Sequence, residues 1–189
     1  RAKAPDGQPP FEQQLFPRKL LAEFARFGDE VVQLSASENH LGFRMGDRTL
    51  VSRIVELRFP QYERVIVRDN PSRARVDRKE FLASLRRVSL MAHEKARGVR
   101  FRFDPSGELT LVSIGYERGS AEETLTVSYQ GDGMEIALNA QYVIDVLQTL
   151  ECPTVELQLK DGNTQCVLVP VDDDPRLEEY IYVLMPMRL

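Results

Sequence analysis

Few residues in this chain have the types and spacing that catalysis needs. His40 and His93 are its only histidines, and neither sits in a pattern that suggests a nucleophile–base–acid triad. The run "HEK" at His93–Lys95 lacks the second histidine of a zinc protease helix. Cys152 and Cys166 have no CxxC spacing and no nearby histidine, so they read as reduced thiols of a cytoplasmic protein rather than as zinc ligands. "GDGM" and "KDGN" are turn signals, and no GxxxxGK[ST] phosphate loop occurs. Charged residues make up 29% of the chain, so its many carboxylates read as solvated surface rather than as an acid/base pair. No catalytic residue, metal or cofactor is expected. The chemistry that remains is recognition. Cations gather in helix-like stretches, and the chain ends on "EYIYVLMPMRL". Chain ends are usually polar and frayed, so this apolar one is either buried or a surface for something else.

The elements that carry these residues repeat three times. In the first copy, "FPRKLLAEFARF" reads as a helix. Leu20, Leu21, Phe24 and Phe27 share one face, with Arg18, Lys19 and Arg26 away from it. Strand-like runs "VVQLS", "LGFRM" and "TLVSRIVEL" follow. In the second, Asp77 caps "RKEFLASLRRVSLM". There Phe81, Leu82, Leu85 and Val88 point inward, and Arg78, Lys79, Arg86 and Arg87 form the polar set. Its strands are "GVRFRF", "ELTLVSI" and "ETLTVSY". In the third, Asn139 caps "AQYVIDVLQTL", and "TVELQLK", "TQCVLVP" and "YIYVLM" are the strands. The period is about 60 residues. One such unit cannot bury its own sheet, but two side by side make a domain with helices packed on one sheet face. Copies two and three make a whole domain, and copy one is half of another.

Composition agrees with a folded α+β chain. Hydrophobic residues form 42% of it, enough for a core. There is no apolar run of transmembrane length and no signal-peptide pattern. Arg1 stands where a Met would start a protein, so a piece of a longer chain is expected.

The tail "YVLMPMRL", the run "RFPQYERV" at Arg58–Val65, "HEKARGVRF" at His93–Phe101 and "MEIALNAQYVIDVLQTL" at Met134–Leu150 occur in this order. Together they closely resemble the last part of the bacterial sliding clamp family, the beta subunit of DNA polymerase III. The resemblance covers nearly the whole chain. It implies a DNA clamp fold of repeated helix-plus-sheet units, with helices on the inner face and sheets on the outer. It also implies a division into 1–58, the second half of a middle domain, and 59–189, the C-terminal domain. The first domain and the first half of the middle one are missing. "RFPQYERV" resembles the hinge between the two domains.

What the family does then becomes the expectation for this chain: a processivity factor, not an enzyme. Such a ring encloses double-stranded DNA without reading its sequence. Arg18, Lys19 and Arg26 of the first helix and Arg78, Lys79, Arg86 and Arg87 of the second would face backbone phosphate. A net charge of -4 suits a ring that holds DNA by enclosure, with an acidic outside. Clamp-binding peptides of DNA polymerase III, the clamp loader and other repair polymerases would dock in a hydrophobic groove. The resemblance assigns its wall to Val183, Leu184, Met185, Pro186, Met187, Arg188 and Leu189. It puts Pro60, Arg64 and Val65 on the hinge side and Asn139, Tyr142, Asn163 and Gln165 on the rim. Methionine is unbranched and polarizable and adapts to varied ligands, while Arg64 and Arg188 can hold polar groups of a peptide. Leu90 and Met91, with Glu117, Glu122 and Glu123 around them, would meet a neighbouring subunit in a homo-oligomer. The alternative is a half-clamp acting as an adaptor or competitor, which binds such peptides without encircling DNA. No membrane is expected as a partner.

Overall fold

The computed structural model describes residues 15–24, 26, 32–57, 61–92, 97–115, 119–174, 177 and 179–188. Pro60, Glu117, Leu189, Phe27 and the "HEK" run lie outside the described residues. The chain divides into two compact units, Arg1–Gln61 and Tyr62–Leu189.

In the first unit, helix α1 (Arg18–Phe24) precedes an antiparallel sheet of β1 (Gln33–Ala36), β2 (His40–Met45) and β3 (Arg48–Arg53), in that order. Leu41, Phe43 and Met45 alternate inward along β2, as the period of a half-buried strand requires. Leu20 and Phe24 of α1 close over Phe43, whose ring meets Phe24 edge-on at 4.7 Å. Leu34 pairs opposite Phe43 and so shares its face. Yet every residue of β1 is exposed. β1 has one described neighbour, β2.

The second unit holds two copies of the repeat. The first is β4 (Ser72–Asp77), α2 (Arg78–Ser89), β5 (Gly98–Asp104), β6 (Glu108–Gly115), β7 (Gly119–Thr126) and β8 (Ser128–Gln130). The second is β9 (Met134–Asn139), α3 (Ala140–Thr149), β10 (Thr154–Leu159), β11 (Cys166–Val171) and β12 (Tyr182–Leu184). Both helices start where a side chain can take up a free backbone N–H. Asp77 Oδ1 accepts from Glu80 N at 2.8 Å, and Asn139 Oδ1 from Gln141 N at 2.9 Å. Caps of this kind contribute about 1 kcal/mol each.

One sequence expectation needs correction. The two copies do not lay their strands side by side in one sheet. They form two sheets, β12-β11-β10-β4-β8 and β7-β6-β5-β9, and each copy gives its first strand to the other. β4 pairs along β10, and β9 along β5. α2 and α3 pack against each other. Their buried faces, among them Phe81, Leu85, Val143 and Leu147, share one core with both sheets. An exchange of this kind makes β4 an inner strand of one sheet and sets β9 beside β5 at the edge of the other, where the tail reaches it. It cannot be read from periodicity, because alternation says which side chains face inward and not which strand lies next door.

Chain crossings tie the two sheets at their sides. β7 pairs with β6 and β8 with β4, so the chain passes between sheets at Val127. There Val127 N donates to Gly107 O at 2.8 Å. Gly107 has φ +91°, and a Cβ would meet Val127 O at 2.9 Å, so this turn has room for glycine alone. At the other side, beyond β12, Met187 N donates to Ala137 O of β9 at 2.8 Å. The first unit carries the same device in miniature, a bridge between Leu15 and Val55. In all three copies, residues just ahead of the helix are tied to the end of that copy.

Both cysteines are free and buried. Burial pushes the Cys166 thiol up to about 12 and raises Cys152 as well, so both are packing residues with protonated thiols. Among the described residues no helix is long and apolar enough to cross a membrane.

The unequal cores predict unequal stability. The first unit's buried cluster is Leu20, Leu41 and Phe43, far smaller than the core shared by α2, α3 and both sheets. In hydrogen exchange on the whole chain, the amides of β2 and β3 should exchange faster than those of β5, β6 and β10. Equal protection in a monomeric sample would contradict this.

Candidate functional site

The chain end is strapped, not frayed. β12 pairs with β11 in the register Cys166↔Leu184, Val167↔Val183 and Leu168↔Tyr182. Leu184 is 3% exposed and belongs to the core, so the structure removes it from the surface set. Tyr180 and Tyr182 are half-buried against that core. Burial raises the Tyr182 hydroxyl, and Asp145, Tyr180 and Tyr142 add to it, which places these groups around it. After Leu184 the chain leaves the sheet. Met185 is 63% exposed, Pro186 and Met187 are half-buried, and Arg188 is exposed. The Met187–Ala137 hydrogen bond then fixes this apolar segment on the open edge of β9.

The rim is built from α3 and the β10–β11 loop. Tyr142 is 56% exposed on the first turn of α3. Asn139 is occupied as that helix's cap. In the loop, Asp161 Oδ1 accepts from the N–H groups of Asn163 and Thr164, and Oδ2 from Thr164 Oγ1 at 2.9 Å. These bonds hold the Asp161 carboxyl below its ordinary range, the Asn163 N–H first among them. Gly162 lies so close to β9 that a Cβ would stand 2.6 Å from Glu135 O. The loop therefore meets the same strand as the tail, two residues along it. Gln165 O accepts from Asn70 Nδ2. Arg64 and Val65 are exposed in a 3₁₀ turn, Tyr62–Val65, and among the described residues no hydrogen bond joins them to the tail. Gly162 and Asn70 had no motif to mark them, since "KDGN" reads only as a turn and no motif includes Asn70.

The cations split into engaged and free. Arg78 turns inward: its Nε donates to Cys152 O at 2.7 Å and its Nη1 to Leu147 O at 2.9 Å. It satisfies carbonyls at and beyond the end of α3, which an α-helix leaves without intrahelical donors. That corrects its place among the phosphate-facing residues. Arg87 grips Glu123 with two bonds, at 2.6 and 2.7 Å, and holds that carboxyl below its ordinary range. Lys79 and Arg86 are exposed and have no ion pair among the described residues. In the first unit Arg18 and Lys19 are exposed, and Arg26 pairs with Glu23 at 3.0 Å. Among the described residues no group of His, Cys, Asp and Glu could hold a metal.

The family described as DNA polymerase III beta subunit, C-terminal domain, matches residues 63–188. The beta sliding clamp of Caulobacter vibrioides strain NA1000 is 34% identical over 190 residues, covering 98% of this chain and 50% of its own length. That of Proteus mirabilis is 35% identical over 185 residues, covering 95% and 49%. The chain belongs to the bacterial beta sliding clamp family. Among solved structures, Caulobacter crescentus pol III beta superposes with a TM-score of 0.87 at 33% identity, covering 100% of this chain and 50% of that one. The Pseudomonas aeruginosa sliding clamp bound to griselimycin gives 0.83 at 31% identity, covering 94% and 48%. The chain thus spans about half the length of the clamps it matches.

In this clamp chain two of the residues expected at a subunit contact, Leu90 and Met91, directly follow α2. Leu90 is 69% exposed and Met91 half-buried, so neither is a fully enclosed core contact. Glu122 and Glu123 lie on β7, the outermost strand of its sheet. The Arg87–Glu123 pair ties that strand to the helix.

The two kinds of cation predict two kinds of mutant. Arg78→Ala leaves two carbonyls without their donor and should lower the free energy of unfolding by about 1–3 kcal/mol. Arg86→Ala removes an exposed, unpaired charge and should change it by less than about 0.5 kcal/mol. Denaturant melts of the two variants give the comparison, and equal effects would refute the inward role of Arg78.

Proposed function

We propose that this chain is the C-terminal part of a non-enzymatic processivity clamp of the cytoplasm, which encircles double-stranded DNA and tethers its partners through a peptide-docking surface. The surface comprises Val183 and Met185–Arg188, with Arg64 and Val65 on the hinge side and Asn139, Tyr142, Asn163 and Gln165 on the rim; the family resemblance adds Leu189 to the wall and Pro60 to the hinge side. The observation that carries the reading is the strapped tail. Burying Leu184 and bonding Met187 to Ala137 hold the backbone on either side of Met185, which is 63% exposed. Where the backbone is already held, a ligand has only the side chains left to order. Partners of this chemistry are short apolar peptide segments, such as those of DNA polymerase III, the clamp loader and repair polymerases. The clamp of Pseudomonas aeruginosa was solved bound to griselimycin, which makes that compound a practical probe here.

DNA contact in this reading rests on few cations. Lys79 and Arg86 serve the last domain, with Arg18 and Lys19 in the first unit, and all of them meet phosphate without reading bases. Leu90, Met91, Glu117, Glu122 and Glu123 form the contact with a neighbouring subunit. The second reading, an adaptor that binds the peptides but closes no ring, draws on the exposed β1 strand. Salt dependence separates the two. A closed ring on circular DNA resists dissociation by salt, whereas an open chain shows a log–log slope that reports only a few phosphates.

Met185→Ala combined with Met187→Ala should weaken griselimycin binding by about 1–3 kcal/mol, the range for losing anchor side chains. The melting transition should shift little, since Met185 is exposed and Met187 only half-buried. Calorimetry with unaltered affinity in the folded variant would rule out the docking surface.

A further inference from the structure

Asn70 stands between the 3₁₀ turn and β4 and is 1% exposed. Its Nδ2 donates to Gln158 O at 3.0 Å and to Gln165 O at 3.2 Å. Gln158 is near the end of β10, and Gln165 comes just before β11. One amide group therefore bridges both stems of the 160–165 loop. The Asn70 carbonyl in turn accepts from Arg73 Nη1, whose guanidinium faces Glu156 at 3.6 Å. Lys160 also reaches Asp69 at 3.1 Å, but that pair is well exposed on both sides and contributes little. Oδ1 of Asn70 is buried without a partner among the described residues. The orientation of the amide is thus set by its two donor bonds, because flipping it would place an acceptor against two carbonyls.

Three devices fix this loop, and each acts on a different part. Asp161 shapes the tip, Gly162 sets the approach to β9, and Asn70 holds the stems together. The segment bearing Asn70 starts at Arg64 and Val65, so the same side chain also connects the hinge side to the rim.

We propose that Asn70 is a positioning residue of the docking surface: its buried amide holds the Asn163–Gln165 rim in register with the hinge segment. This rests on the docking reading above, and Asn70 itself meets no ligand. The charged groups near it are Asp69 in its own segment, Arg73 on β4, Glu156 on β10, and Lys160 and Asp161 in the loop.

The test uses the whole chain, as wild type, Asn70→Ala and Asn70→Asp, with griselimycin as ligand at about pH 8 and about pH 5.5. In Asn70→Asp the carboxylate faces two carbonyl oxygens, and burial beside them raises its pKa. At the higher pH it is charged and repels both stems, and affinity should fall about tenfold. At the lower pH its O–H can donate to one carbonyl, so part of the affinity should return. Asn70→Ala should be weak at both pH values, and the ratio of Asn70→Asp to wild-type affinity is the quantity to follow. Hydrogen exchange should show protection lost at residues 163–165 and kept in α2 and α3. Wild-type affinity in both variants, a pH-independent deficit in Asn70→Asp, or protection lost evenly across the domain would each overturn the proposal. If the wild-type chain takes up no griselimycin, the docking reading itself falls. Wild-type binding with an unperturbed Asn70→Asp overturns only the role of Asn70.

Discussion

The structure of the larger unit depends on an exchange of strands. β4 belongs by sequence to α2 but hydrogen-bonds along β10, and β9 belongs to α3 but pairs with β5. Neither copy can complete its sheet without the other, so backbone hydrogen bonding and core formation become one event. That coupling places α2 against α3 and fixes where each helix begins, because Asp77 and Asn139 are at once the last residues of exchanged strands and the caps of the helices. It also leaves each sheet with edges that need cover. Open edges carry unpaired N–H and C=O groups and recruit whatever strand is near. The bend at Val127 manages one side and the tail the other.

The tail's apolar composition follows from that duty. To reach β9 from β12, the chain must first bury Leu184 and then run outside the sheet along Pro186 and Met187. Proline suits the path, since it has no N–H to satisfy. Met185 is left outward, and the strap holds the backbone that carries it. Burial and exposure thus fall on adjacent residues of one short segment, Leu184 and Met185.

The cations show a similar division. Within α2, Arg78 serves α3 and Arg87 serves β7, while Lys79 and Arg86 are left to the solvent. A helix with a row of basic residues is therefore less basic at its surface than its composition suggests. Arg78 follows the capping residue directly and so lies close to the carbonyls that end α3. Arg87 is three residues after Ser84, whose hydroxyl also receives its guanidinium at 3.1 Å.

The sequence by itself determined the elements and the family. The strand-like run "LGFRM", the helical stripe of Phe81, Leu85 and Val88, and the caps Asp77 and Asn139 are local signals, and the structure has them where they were read. The tail, the hinge run and the "MEIALN" strand carried the resemblance that the comparisons bear out. Only tertiary structure decided which strand pairs with which, that Leu184 faces the core while Met185 faces outward, and that Arg78 is a cap. It alone gave Asn70 and Gly162 their places. The physical reason is distance along the chain. Asn70 meets Gln165 across 95 residues, and Arg78 meets Leu147 across 69. Local periodicity reports which side of an element is apolar, whereas a long-range hydrogen bond depends on where two elements come to rest.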